Sequence, residues 1–245
     1  MNEPPNIVPP PPAPASLQMI MALVGVAALS GLLIVVAFEL TLPTITASKA
    51  RALRRSVFEV LPEARRMTTF SLTADGALTP VASKDAKVVR FHAGYTARGK
   101  LAGVAIEAEG QGFQDMIKVI YGYSPSQARV IGMRVLESRE TPGLGDKIGF
   151  DPAFLSNFKD LDVRLAPDGG GLLHPVQVVK KGARREKWQI DSITGATISS
   201  KAIGKLIGRS VSERLPQVHR NLRTLEAGVK RAKTGREGPS AERKP

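Results

Sequence analysis

Between Glu3 and Glu39 the chain carries no charged residue. Inside that gap Leu17–Phe38 is 22 residues of nearly unbroken apolar character, interrupted only by Gln18 and Ser30. As an α-helix rising about 1.5 Å per residue, this run is roughly 33 Å long, enough to cross a hydrocarbon core of about 30 Å. A removable signal peptide has a basic start, a shorter apolar core and a small-residue cleavage site. This run has no Lys or Arg before it and is too long. It predicts a single transmembrane helix over residues 17–40. Seven of the first fourteen residues are proline, so residues 1–16 are expected to be an extended, disordered tail.

The formal charge is +13, unevenly placed. Residues 46–66 hold six basic residues (Lys49, Arg51, Arg54, Arg55, Arg65, Arg66) against Glu59 and Glu63, and residues 220–245 hold eight basic against three acidic. A nucleic-acid binder interleaves basic side chains with stacking aromatics, and the tail from Arg220 has none. It is read as a solvated, disordered extension over 220–245. The basic residues after the apolar run favour a cytoplasmic C-terminal body under the positive-inside rule, a tendency that large domains override. The absence of cysteine excludes thiol catalysis and Cys-ligated clusters. Three scattered histidines (His92, His174, His219) argue against a histidine-rich metal site.

The body, residues 46–219, is α+β. Ser48 is a candidate N-cap for an amphipathic helix bearing Leu53, Val57 and Val60–Leu61, closed by Pro62. Strand-like runs follow at Lys87–Phe91, Leu101–Glu109, Met116–Tyr121 and Val130–Glu137, with glycines at the turns. Asp151-Pro152 opens a short helix through Phe158, and Asp168–Gly171 is a flexible turn. His174–Lys180 and Trp188–Asp191 are further strand candidates. A long helix from about Thr194 carries an apolar stripe (Ile198, Ala202, Leu206, Ile207, Val211, Leu215) and a polar row (Lys201, Lys205, Arg209). The expected architecture is an antiparallel or mixed sheet framed by helices.

Gly94–Lys100 begins like a phosphate-binding P-loop, but Leu101 stands where Ser or Thr must ligate magnesium and the following run reads as strand. Glu107 and Glu109 share one face of a strand and read as solvated surface. Two segments remain: Glu140-Thr141-Pro142-Gly143-Leu144-Gly145-Asp146-Lys147 and Asp191-Ser192-Ile193-Thr194-Gly195-Ala196-Thr197. The second sets hydroxyls and a glycine at a strand-to-helix junction, where unpaired amides and the helix dipole favour an anion. Gly195 and Ala196 admit close approach to the backbone. A Ser/Thr N-cap on an ordinary helix explains the same residues equally well.

Asp191–Thr197 resembles the D-x-x-[ST]-G-A-[ST] signature of FMN-binding domains, and Glu140–Gly145 resembles the E-T-P-G-L-G segment of the same domains. With the apolar helix ahead, residues 17–215 are similar to the G component of the Rnf electron-transport complex, an ion-translocating oxidoreductase. They are more distantly similar to the C component of the sodium-translocating NADH:quinone reductase. The resemblance implies FMN joined by a phosphoester bond to Thr197, with Asp191, Thr194, Gly195 and Ala196 as motif neighbours. It makes Glu140, Thr141, Gly143, Leu144 and Gly145 flavin contacts. It implies attachment from FAD by a flavin transferase with magnesium, and an inner-membrane protein whose flavin domain is periplasmic, against the charge tendency. In that setting the flavin relays electrons between membrane and iron–sulfur partner subunits during ferredoxin:NAD oxidoreduction. The alternatives are the C component of a quinone reductase and a non-redox envelope scaffold.

Overall fold

The structure is a computed structural model that describes residues 16–73, 75–80, 89–167 and 171–234. The proline-rich head up to residue 15, most of the turn expected at 168–171, and residues 235–245 lie outside the described residues. Two compact units divide the chain at Arg51/Ala52.

The first unit is helix α1 (Ser16–Val60) up to Arg51. Among the described residues α1 is the one helix long and apolar enough to be a candidate membrane span, and its apolar window is fully exposed. Two separate helices were expected, a span to residue 40 and a second starting at Ser48. Instead one helix runs through Pro43. Proline removes a single N–H, the one that would reach the residue 39 carbonyl. Around it Thr41 Oγ1 donates to the Ala37 and Phe38 carbonyls and Thr46 Oγ1 to the Pro43 carbonyl. Ser48 is therefore interior to the helix and caps nothing.

The second unit is built on a seven-stranded antiparallel sheet, order β2-β1-β3-β4-β5-β6-β7. Its strands are β1 (Arg66–Leu72), β2 (Leu78–Pro80), β3 (Arg90–Tyr95), β4 (Leu101–Gln111), β5 (Met116–Ser124), β6 (Arg129–Glu137) and β7 (Leu161–Asp162). Of the strand expected at Lys87–Phe91, residues 87 and 88 lie outside the described residues, and β3 begins at Arg90. Gly94–Lys100, the rejected P-loop, spans the end of β3 and its tight turn into β4, with Gly99 at φ +82°. Helix α2 (Pro152–Ser156) is capped as expected, the Asp151 carboxylate accepting the Phe154 N–H at 2.9 Å. A separate parallel pair, β8 (Gln177–Val179) with β9 (Gln189–Asp191), precedes α3 (Thr197–Arg220) and α4 (Leu222–Thr234). The helical Leu222–Thr234 replaces the disordered tail expected from residue 220. Leu225 accounts for it, since that side chain is fully buried in the core and its carbonyl accepts the Tyr95 hydroxyl at 2.6 Å.

Alternation along the strands sorts the sheet into two faces. Phe91, Val104, Ile106, Val119, Tyr121 and Tyr123 join Ile203, Ile207, Val211, Leu215 and Val218 of α3 in the main core. The opposite face meets Val57, Val60, Leu61 and Ala64. It can do so because four strands present glycines there. A Cβ at Gly94 or Gly103 would sit 2.7–2.8 Å from a Leu61 side-chain carbon, and one at Gly122 would run into the Val60 carbonyl oxygen.

On the same strands lies a polar row. Buried His92 is bonded through its two ring nitrogens to Thr69 Oγ1 and Glu107 Oε1, each at 3.0 Å, and Lys118 Nζ reaches Glu107 Oε2 at 2.9 Å. Glu109 is exposed as expected, but Glu107 is largely buried and ion-paired, not solvated surface. Burial opposes its charged form. The hydrogen bonds and charges of His92 and Lys118 outweigh that and hold its pKa down from 4.5 to about 2.

Two outcomes follow for the full chain in detergent micelles, read by urea unfolding through the single Trp188. Gly122→Ala should lose about 2–3 kcal/mol, since the Val60 backbone must shift to admit a methyl group. Because the folded pKa of Glu107 is depressed, its stabilisation is present above about pH 4.5 and is lost as pH falls toward about 2. Glu107→Gln should therefore cost at most about 3 kcal/mol at pH 7, and the gap should close across that window. A gap that stays constant from pH 5 to 2 refutes the assignment.

Candidate functional site

The junction between β9 and α3 is shaped by buried serines and one left-handed glycine. Gly195 sits at φ +83°, a conformation that costs an L residue about 1–2 kcal/mol. Ser200 Oγ donates to the Ala196 carbonyl at 2.8 Å and accepts the Ile193 N–H at 3.0 Å, folding the approach segment back onto the helix. Ala196, Ser199 and Ser200 are buried, whereas Thr194, Gly195, Thr197 and Ile198 are exposed.

This arrangement removes the N-cap reading of the hydroxyl cluster. The residue at the N-cap position is Ala196, which has no hydroxyl, and no side chain caps the helix. Thr197 is the first helical residue, exposed beside first-turn amides that carry the positive end of the helix dipole. The apolar stripe holds from Ala202 to Leu215 and is corrected only at Ile198. Ile198 is 60% exposed, and the inward line runs through Ser199, Ser200, Ile203, Leu206, Ile207, Ser210 and Val211. Lys201, Lys205 and Arg209 face out as expected.

The second motif meets the first. In the loop after β6, Gly143 turns at φ +76° and leaves Leu144 49% exposed. A Cβ on Gly195 would stand 3.8 Å from Leu144 Cδ2. Gly145 is buried where a Cβ would meet Glu140 Oε2 at 2.6 Å and Ser199 Oγ at 2.8 Å. Glu140 is 5% exposed, and its carboxylate is bonded inward through both oxygens. Oε1 accepts the backbone N–H of Phe113 (2.8 Å) and of Gln114 (3.1 Å), while Oε2 accepts the Ser199 hydroxyl. Thr141 Oγ1 accepts from Gln114 Nε2 at 3.0 Å. In the same loop Asp146 Oδ1 is buried without a partner among the described residues.

Asp191 stands apart. Its carboxylate accepts the Arg184 N–H at 3.0 Å, and its own N–H goes to Asn157 Oδ1 at 3.0 Å, so it braces the β8–β9 connection. The sequence motifs thus bring Leu144, Gly145 and Glu140 against Gly195 and the first turn of α3, but not Asp191. Phe113, Gln114, Asn157, Ser199 and Ser200 escaped the sequence reading. Only the serines left a signal there, as the N-terminal members of the inward line that Ile203 and Ile207 continue.

Residues 112–212 match the FMN-binding domain family, so the chain carries an FMN-binding domain. The chain is 32% identical over 185 residues to the G component of the ion-translocating oxidoreductase complex of Cereibacter sphaeroides, spanning 75% of this chain and 77% of that protein. The G component from Methanosarcina acetivorans is 28% identical over 192 residues (76% and 87%). That of Aliivibrio fischeri is 37% identical over 123 residues, about half of each chain (46% and 50%). The chain belongs to the family of G components of ion-translocating oxidoreductase complexes. In fold it is similar to the crystal structure of Shewanella oneidensis NqrC, with a TM-score of 0.54 at 19% identity over 76% of this chain and 99% of that one.

Gly145→Ala tests how tightly the two motifs are joined. The added methyl group must push Glu140 or Ser199 aside, so urea unfolding should show a loss of about 1–3 kcal/mol, and a neutral result would contradict the packing.

Proposed function

We propose that this chain is a membrane-anchored covalent flavoprotein, an electron relay in an Rnf-type ion-translocating complex, with FMN esterified to Thr197. The observation that carries the proposal is the exposed Thr197 hydroxyl on the first residue of a helix that no side chain caps. An uncapped N-terminus leaves amides free to bond a phosphodiester, and the helix dipole favours its negative charge. The left-handed Gly195 keeps the approach clear, and exposed Leu144 beside it offers an apolar surface to a flat ring. Asp146 Oδ1 is an open acceptor in the same loop. These features fit FMN, which when bound supplies the redox chemistry. Thr194, Gly195, Ala196, Thr141 and Gly143 shape the site, and the observed bonds of Glu140 and Asp191 give those two residues bracing roles.

Attachment is a phosphoryl-group exchange. The Thr197 oxygen forms a bond to the FMN-side phosphorus of FAD, the bond to the bridging pyrophosphate oxygen breaks, AMP leaves, and the hydroxyl proton passes to solvent. The co-reactants are FAD, magnesium and a flavin transferase. The domain lies on the periplasmic face of the inner membrane, anchored by α1, and its electron partners are the other membrane and iron–sulfur subunits. A topology reporter fused to the C-terminus should be active outside the cytoplasm.

Coexpressed with a flavin transferase, the denatured chain should fluoresce in a gel. Mass spectrometry should place the added FMN within Trp188–Lys201, and Thr197→Ala should abolish it. Fluorescence retained in that variant sinks the assignment. Co-purification with a ferredoxin-type iron–sulfur protein separates this reading from a quinone-reducing assembly.

A further inference from the structure

We infer that Glu140 is the positioning residue of the acceptor turn, holding Thr197 in place through Ser199 without touching the flavin. This rests on the reading of Thr197 as the attachment site and changes the role that the resemblance gives Glu140.

The geometry points one way. Three donors from two distant segments converge on one buried carboxylate. They are the Phe113 and Gln114 amides at the β4–β5 turn and the Ser199 hydroxyl in the first turn of α3. The chain is built around that carboxylate with two glycines. A Cβ on Gly112 would lie 2.5 Å from Glu140 Oε1, and one on Gly145 would lie 2.6 Å from Oε2. Glu140 is only 5% exposed, and both its oxygens are taken by donors from within the protein, so its carboxylate is turned inward.

Ser199 lies two residues past Thr197, on the same helical turn but facing inward. A bond at Ser199 therefore fixes both the position and the rotation of that turn, and so the direction in which the Thr197 hydroxyl is presented. The turn lacks the side-chain cap that orders most helix starts, so Glu140 supplies from the side what a cap supplies from the end. The same carboxylate holds the Phe113 turn, whose side chain is exposed, in fixed register with Leu144 and Ile198. Misplacing a reacting group by about 1 Å costs on the order of a hundredfold in rate.

The test compares Glu140→Ala, Glu140→Gln and Ser199→Ala in the full-length protein. One readout is the rate of flavin loading with FAD, magnesium and flavin transferase. Another is amide hydrogen exchange across Thr197–Ser200 before loading, and a third is the midpoint potential of the loaded protein. A glutamine keeps the geometry, because its oxygen can accept the two amides while its NH2 group donates to the Ser199 hydroxyl, which reverses its own role. Glu140→Gln should load within about threefold of the wild type, with unchanged exchange and potential. Glu140→Ala should load roughly ten- to a hundredfold more slowly, with faster exchange in the first turn. Ser199→Ala, which leaves both amides bonded and so guards against a variant that fails to fold, should fall between them.

Wild-type loading and exchange in both alanine variants overturn the inference. So does a Glu140→Gln protein with native exchange that loads as slowly as Glu140→Ala or shows a shifted potential, since the charge would then act on the flavin itself. If even the wild type takes no flavin, the acceptor reading fails and exchange alone decides the role of Glu140. Faster exchange in the alanine variants supports it, and unchanged exchange refutes it.

Discussion

A carboxylate moved out of water costs several kcal/mol unless donors replace its hydration, and Glu140 is met by three. The carboxylate and its donors come from three separate segments. The β4–β5 turn is a hairpin tip, and the loop after β6 has no strand partner. The start of α3 has no side-chain cap. Through one buried side chain these three pieces become a single rigid patch, and the exposed side chains on it, Phe113, Leu144, Thr197 and Ile198, inherit that order. A site assembled this way is ordered by the protein's own contacts, as the attachment proposed at Thr197 requires.

The other face of the sheet serves a different purpose with different means. Glycines in β3, β4, β5 and β6 remove side chains where residues 57–64 pack, so backbone and aliphatic groups meet at short range. Farther along, the sheet carries the Thr69–His92–Glu107–Lys118 row, a polar cluster whose members satisfy one another. Neither feature touches the junction at Thr197. The sheet therefore separates two tasks. One face receives the end of α1, and the other supports α3 and its N-terminus.

Much of this was legible in the chain. Strand-like apolar runs bounded by glycines marked β4, β5 and β6, and the Asp151-Pro152 pair marked the start of α2. Three things were not legible, for identifiable reasons. The apolar run ending near residue 40 and the helical pattern from Ser48 read as two helices, yet one helix runs through Pro43 at the loss of a single backbone bond. The basic composition after Arg220 suggested a solvated tail, yet Leu225 gives the helix a buried foothold. The stripe on α3 failed only at its first member, because Ile198 reads as core by composition while Ser199 and Ser200 do not. The serines face inward because carbonyl and carboxylate partners wait there.

By itself the sequence determined the apolar helix, an α+β body on an antiparallel or mixed sheet and which hydroxyl to suspect, because these depend on periodicity and on short motifs whose chemistry is local. Tertiary structure alone decided which motif residues face solvent and which hold the scaffold. Glu140 and Asp191 sit in motifs that resemble cofactor-binding segments, but their partners lie 26 or more residues away for the one and on Arg184 and Asn157 for the other. A buried polar group takes its role from the donors the fold brings to it, and that pairing is a property of three-dimensional contact that no local pattern encodes.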